Sequence, residues 1–185
     1  MGQKHLVALI GAPCAGKSTI GRQLNAEYWS SGDTLRRLAA GEDNLSAHIR
    51  QLAAYGGYLD DDLMMNIFYR EMARLPDGLA FVDGVPRTIR QKNDLDASES
   101  HKEFVMPYAI FFDCPKDVLE ERYKKRSKEG RTDDKVSYDE RFSIFCNNTR
   151  PVVDAYEQEG RLRVIDASQP IDVVLTSVLN ELERT

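Results

Sequence analysis

The sequence predicts an α/β domain built on a central parallel sheet. Short apolar runs alternate along the chain with stretches of helical spacing. Three of those runs end in aspartate, and the first is followed by a glycine-rich turn that opens a helix. His5–Ile10 reads as a buried strand, and a helix is predicted from about Lys17 to Glu27. Leu79–Asp83, Tyr108–Asp113 and Leu162–Asp166 are further strands, with Tyr28–Ser31 a shorter one. Helices are predicted over Asp61–Arg74, Pro115–Ser127, Ser137–Gln158 and Pro170–Glu183, where Pro115 and Pro170 suit first-turn positions. Two stretches, roughly 32–60 and 127–136, lack a strand of their own. With no repeat, low-complexity tract or linker, the 185 residues read as one domain.

Composition narrows the function. Hydrophobic residues make up 42% and charged residues 30%, an ordinary globular balance. The formal net charge of −5 gives no reason to expect nucleic-acid or membrane binding. Cys14, Cys114 and Cys146 are odd in number and form no CxxC pair, and His5, His48 and His101 have no zinc-ligand spacing. The apolar stretch Leu6–Ile10 is too short for a signal peptide, and Leu6 breaks a myristoylation pattern that would need Ser or Thr there. A reducing, cytoplasmic setting and a monomer are the expectations.

The segment Gly11-Ala-Pro-Cys-Ala-Gly16-Lys17-Ser18 matches GxxxxGK[ST] in full, between a strand and a helix. Glycines let the backbone wrap a phosphate chain, amides at the helix start point inward, and Lys17 adds a mobile positive charge. Ser18 or Thr19 can place a hydroxyl near Mg²⁺. A simple Gly-rich turn is the bland alternative, but every fixed position is present, so ATP or GTP binding is expected. Asp83, closing an apolar strand, is the natural carboxylate to reach Mg²⁺ directly or through water; alone, it could equally cap a turn.

Further segments resemble adenylate kinases and their nucleoside-monophosphate kinase relatives. Ser30–Arg36 (SSGDTLR) resembles their SxGDxLR, and Asp83–Gln91 (DGVPRTIRQ) resembles DGFPRT..Q. Gly130-Arg131-Thr132-Asp133-Asp134 followed by Arg141 resembles the GRxDD…R lid segment. Arg150-Pro151…Tyr156 and Val164-Ile165-Asp166 resemble the closing helix and last strand. The resemblance runs from about residue 5 to the C-terminus. It implies a P-loop three-layer sandwich with a central parallel sheet, an acceptor-binding insertion over about 31–60 and a short lid over about 127–136.

It also implies roles for residues. Gly11, Cys14, Ala15, Gly16, Lys17, Ser18 and Thr19 would hold ATP, with Arg122 stacked on its adenine and Gln169 placed for a main-chain contact. Arg36 and Arg87 would hold the acceptor phosphate. Arg126, Arg131 and Arg141 would close over the transferring phosphoryl, joining Lys17 and Arg87 in catalysis. Such a site needs many fixed cations, and arginine's planar fork suits phosphate oxygens. Taken alone, the run Glu120–Arg131 would read as a solvated helix face. Ser31, Gly57, Tyr58, Leu59, Gly84 and Gln91 complete the acceptor side, although the Gly56–Gly57 pair could equally serve a helix end. The Gln91 amide offers a donor and an acceptor together, which suits an adenine edge. Pyrimidine-specific relatives resemble DGFPRN..N instead, so Thr88…Gln91 favours AMP.

The expected reaction is therefore ATP + AMP ⇌ 2 ADP with Mg²⁺. A kinase for UMP, CMP or another monophosphate, and a catalytically weak nucleotide-binding regulator on the same fold, remain as alternatives. Four departures bear on that choice. Val85 stands where Phe is usual, Ser31 where Thr or Ala is common, and Cys14 and Ser18 stand where the family has glycines. The helix after the phosphate loop is also about one turn shorter.

Overall fold

The computed structural model describes residues 3–54, 58–99, 104–127 and 136–184. Its centre is a parallel sheet in the order β2-β3-β1-β5-β6, formed by β1 (Lys4–Ile10), β2 (Glu27–Ser30), β3 (Gly78–Asp83), β5 (Ala109–Asp113) and β6 (Leu162–Asp166). A two-residue strand, β4 (Phe104–Val105), pairs with the start of β1. Leu6–Ile10, Ala80–Val82 and Ala109–Phe112 are fully covered on both faces, which is why these strands are unbroken apolar runs. The outer strand β6 leaves Val164 exposed.

Nine α-helices cover the sheet or cap its end among the described residues: α1 (Lys17–Gly21), α2 (Ser31–Ala39), α3 (Asn44–Ala54), α4 (Asp61–Met72), α5 (Ile89–Glu99), α6 (Lys116–Ser127), α7 (Tyr138–Ile144), α8 (Arg150–Gln158) and α9 (Ile171–Glu183). Between α7 and α8, Phe145–Thr149 forms a wider π-helical turn, so the predicted helix over Ser137–Gln158 runs unbroken but not uniform. The capping box of Ser137 and Glu140 starts it. No described helix is long and apolar enough to cross a membrane.

One expectation fails. The helix predicted from Lys17 to about Glu27 ends at Gly21, and the chain turns sharply to begin β2 at Glu27. Register explains the stop: Glu27 must lie opposite Ala80 and Ser30 opposite Asp83. The Tyr28 ring lies so close to Gly21 that a Cβ there would sit 2.3 Å from Tyr28 Cε2, and a longer helix would fill the space that the turn uses. The stretch of roughly 32–60, in which the pattern shows no strand, carries two helices, α2 and α3, over 31–54. Arg50 donates to the carbonyls of Ala39 and Gly41 at 2.6 and 2.7 Å, and Asp43 caps the start of α3 through Ser46 N at 2.7 Å.

Far from the loop ends, a charge network around the buried Lys92 ties α5 to the end of α8. Lys92 Nζ donates to Asp96 at 2.7 Å and to Glu159 at 2.5 Å, and lies 5.0 Å from the centroid of the buried Tyr156 ring. Arg161 pairs with the same two carboxylates at 2.9 and 3.2 Å. Burial lowers the Lys92 pKa, but the two carboxylates outweigh it and hold the value above the ordinary 10.5. Burial raises that of Asp96, but Lys92 and Arg161 outweigh it and hold it below the ordinary 3.8. The stabilisation from Asp96 is therefore present above its unfolded pKa and lost as pH falls through the lower folded value. That from Lys92 is complete below its unfolded pKa and lost as pH rises through the higher folded value. Lys92→Met should cost about 1–3 kcal/mol in urea melts at neutral pH. The gap to wild type should stay level across the neutral range and shrink at both the acid and alkaline ends.

Candidate active site

The carboxyl ends of β1, β2 and β3, with residues just after β6, open into a cavity of about 890 Å³. Parallel sheets of this order place their ligands there, where the strand order reverses beside β1. The floor is the loop between β1 and α1. Its turn needs left-handed backbone at two places, Cys14 at φ 69° and Gly16 at φ 91°. Cys14 therefore bears a strain that glycine would not. Lys17 folds back over the loop and donates to Gly11 O at 2.8 Å and Ala12 O at 3.1 Å. Burial depresses its pKa, with the charge of Asp83 opposing the shift.

Among the described residues, seven cations line the cavity: Lys17, Arg22, Arg36, Arg87, Arg122, Arg126 and Arg141. Asp83 is the one anion among the described lining residues. A cavity so charged is built for a polyanion. Gly11, Cys14, Ala15, Gly16, Ser18 and Thr19 line the same space, as do Tyr58, Leu59, Gly84 and Gln169. Arg131 and Gly57 lie outside the described residues, as do Gly56, Gly130, Asp133 and Asp134.

On one side, the Arg87 guanidinium lies 4.8 Å from the Tyr58 ring centroid and donates to Ser31 Oγ at 3.2 Å. Gly84 makes this approach possible: at φ 91°, a Cβ would meet Ser31 Oγ at 2.1 Å and Arg87 Nη2 at 2.8 Å. Thr149 Oγ1 donates to Arg87 O at 3.0 Å, which leaves Tyr58 OH to donate to Thr149 Oγ1 at 3.3 Å. Asp33 accepts from Arg36 at 2.6 Å and from Arg22 at 2.5 Å; these bonds outweigh its partial burial and hold its pKa low. Leu35, Ala39, Ile49 and Leu52 of α2 and α3 supply an apolar wall.

On the other side, Arg122 donates to Ser168 O at 3.3 Å and lies 3.8 Å from Cys114 Sγ. Gln169 Nε2 donates to Asp166 at 2.8 Å. Arg126 sits 5.6 Å from the Tyr123 ring centroid, and Tyr123 OH donates to Val136 O at 2.6 Å.

Ser31 and Gln91 are buried behind the cavity wall and are not among its lining residues. Gln91 is part of a closed network. Its Oε1 accepts from Arg87 N at 2.7 Å, and its Nε2 donates to Asp61 Oδ1 at 2.8 Å. Thr88 Oγ1 donates to Asp61 Oδ2 at 2.9 Å. Asp61 had no signal in the sequence beyond its place in an acidic helix start. Arg22 and Thr149 escaped for a similar reason: neither sits in a motif, and only the fold brings them to the cavity.

Asp83 is nearly buried, and its Oδ2 accepts from Tyr28 OH at 3.0 Å. Burial, and then the Asp83 charge, push the Tyr28 pKa up, so the hydroxyl stays protonated and donates. No cluster of three or more His, Cys, Asp or Glu that could hold a metal occurs among the described residues. A carboxylate and the Ser18 hydroxyl are hard oxygen donors. They fit a divalent ion that keeps waters and takes its remaining ligands from phosphates, not one caged by protein.

Comparison with known proteins agrees with this geometry. The family described as adenylate kinase matches residues 9–161. UMP-CMP kinase 1 of Oryza sativa subsp. japonica is 30% identical over 178 residues, covering 94% of this chain and 72% of the relative. An adenylate kinase of Xanthomonas oryzae pv. oryzae is 30% identical over 185 residues, covering 96% and 99%. With that match over most of its length, on a parallel α/β sheet with a phosphate loop at its mouth, the chain belongs to the adenylate kinase family.

Proposed function

We propose that the cavity transfers a phosphoryl group from ATP to a nucleoside monophosphate, with AMP the preferred acceptor and Mg²⁺ the metal. The observation that carries this reading is the set of seven cations that, among the described residues, surround a phosphate loop with the buried Asp83 carboxylate. A binding module would need the loop and Lys17; it would not need Arg87, Arg126 and Arg141 converging from three separate elements. Phosphoryl transfer asks for that convergence, because its loose transition state is stabilised by position and charge.

Lys17 exchanges the carbonyls of Gly11 and Ala12 for phosphate oxygens. Arg87 and Arg36 hold the acceptor phosphate, while Arg126 and Arg141, with Arg131, neutralise the group in transit. Asp83 and Ser18 would hold a divalent ion, which would supply positive charge against the phosphate oxygens. The acceptor-binding insertion is about 31–60, which carries α2 and α3, and the short lid is about 127–136, of which 128–135 lie outside the described residues. Closure of both excludes water, which would otherwise accept the phosphoryl group.

The acceptor base is read through Gln91. Asp61 takes one amide N–H and Arg87 N binds the amide oxygen, so the amide cannot flip. One N–H and one lone pair remain, in fixed order, to match an adenine edge. Reaching it requires the wall over Gln91 to open as the acceptor enters. The likeness to plant UMP-CMP kinases keeps a pyrimidine acceptor as the second reading. ADP formation assayed across AMP, UMP, CMP and GMP decides between them, and a faster rate with UMP or CMP would overturn the adenine assignment.

Lys17→Ala should lower kcat at least about a hundredfold with little change in melting temperature. A compound joining two adenosines through five phosphates should bind far more tightly than ATP or AMP in calorimetry; equal affinities would refute two facing sites. Gln91→Ala should reduce kcat/KM for AMP about ten- to a hundredfold and leave the KM for ATP unchanged. Asp61→Asn, which frees the Gln91 amide to flip, should narrow the gap between AMP and the other acceptors.

A further inference from the structure

Tyr28 stands on the second strand, beside the carboxylate assigned to the metal. The ladder places Tyr28 opposite Phe81 and Ser30 opposite Asp83, so the tyrosine is two residues short of the acid along the strand. Its ring is long enough to bridge that gap, and its hydroxyl donates to Asp83 Oδ2 at 3.0 Å. The ring is held on two sides. Gly21 lies against its edge, where a Cβ would come within 2.3 Å of Cε2 and 2.5 Å of Cδ2. The Arg22 guanidinium sits 5.9 Å from its centroid. Both neighbours come from the short helix after the phosphate loop and the turn that ends it.

This bond is not needed to join the strands, since four register pairs already do so. What it does is commit one oxygen of a nearly buried carboxylate. A carboxylate on a free rotor would present either oxygen at varying angles; one tied through Oδ2 presents Oδ1 in a single orientation. We propose that Tyr28 is a positioning residue for the metal subsite, fixing the Asp83 carboxylate so that its second oxygen meets the hydrated divalent ion that arrives with the nucleotide. Gly21 is part of the same device, because only a residue without a side chain lets the ring reach the acid. The inference rests on Asp83 being the carboxylate that reaches the metal.

Tyr28→Phe keeps the ring and its packing and removes only the hydroxyl. Mn²⁺ binding to the enzyme carrying the two-adenosine, five-phosphate compound can be followed by electron paramagnetic resonance. Binding of that compound in EDTA can be measured separately by calorimetry. The Mn²⁺ dissociation constant should rise about ten- to a hundredfold, the usual effect of losing a residue that orients a metal ligand. Affinity in EDTA should stay within about twofold of wild type, because no phosphate contact is lost. Gly21→Ala, which displaces the ring but keeps the hydroxyl, should show the same metal-selective loss and serves if Tyr28→Phe folds poorly. In an Asp83→Asn background, Tyr28→Phe should add nothing. Unchanged Mn²⁺ affinity, or equal losses with and without metal, would reduce Tyr28 to a packing residue. If Asp83→Asn itself leaves Mn²⁺ affinity intact, the metal reading of Asp83 fails, and the role of Tyr28 fails with it.

Discussion

Everything at the mouth of this sheet answers one electrostatic problem: seven cations among the described residues must share a cavity and stay available to a ligand. The structure answers it in part by giving several of them neutral partners. Lys17 rests on two backbone carbonyls, Arg87 on a tyrosine face and a serine hydroxyl, and Arg122 on a carbonyl and a thiol sulfur. Arg126 has the face of Tyr123. Such partners satisfy the donors yet bind them less strongly than a phosphate oxygen would. Arg22 and Arg36 instead share Asp33, so that either can leave while the acid keeps a partner. Where charge serves stability instead, as at Lys92, the pairing is with carboxylates and lies away from the cavity.

The sheet makes this possible. Four parallel strands deliver their carboxyl ends to one place, and each loop leaving them contributes a different part: the phosphate loop from β1, Gly84 and Arg87 from β3, the α6 arginines after β5, and Gln169 after β6. The aromatic packing of Trp29 and Phe104 on Phe68, with centroids 5.4 and 6.0 Å apart, fixes α4 against the far side. Asp61 at the head of α4 then falls beside Gln91. A core contact thus sets the orientation of an amide more than a turn of helix away.

Strands were legible because burial on both faces writes itself as an apolar run, and the phosphate loop because its chemistry fixes residue types at fixed spacing. The sequence shows α1 to be about one turn shorter than usual but not its stop at Gly21: nothing in residues 22–26 breaks a helix, and the stop comes from the register of β2 and from Tyr28 on Gly21. The burial of Gln91 was hidden for the same kind of reason. Its partners Arg87 N and Asp61 are, respectively, a backbone group and a residue 30 positions away. Local pattern records what a residue can do, and distant packing decides which way it faces.

The helix from Ser137 to Gln158 shows how a small irregularity serves the site. Arg141 and Thr149 both line the cavity, one from α7 and one from the end of the π-helical turn. Eight residues apart on a uniform α-helix, they would differ by about 80° around the axis. A wider turn rotates less per residue, so the five residues Phe145–Thr149 swing Thr149 back toward the face that carries Arg141. There it donates to Arg87 O and accepts from Tyr58, while Arg141 reaches the same cavity one helix earlier. Wide turns of this kind are poor for stability and recur at functional positions. Here the turn lets a single helix supply a cation and the hydroxyl that steadies another cation's backbone.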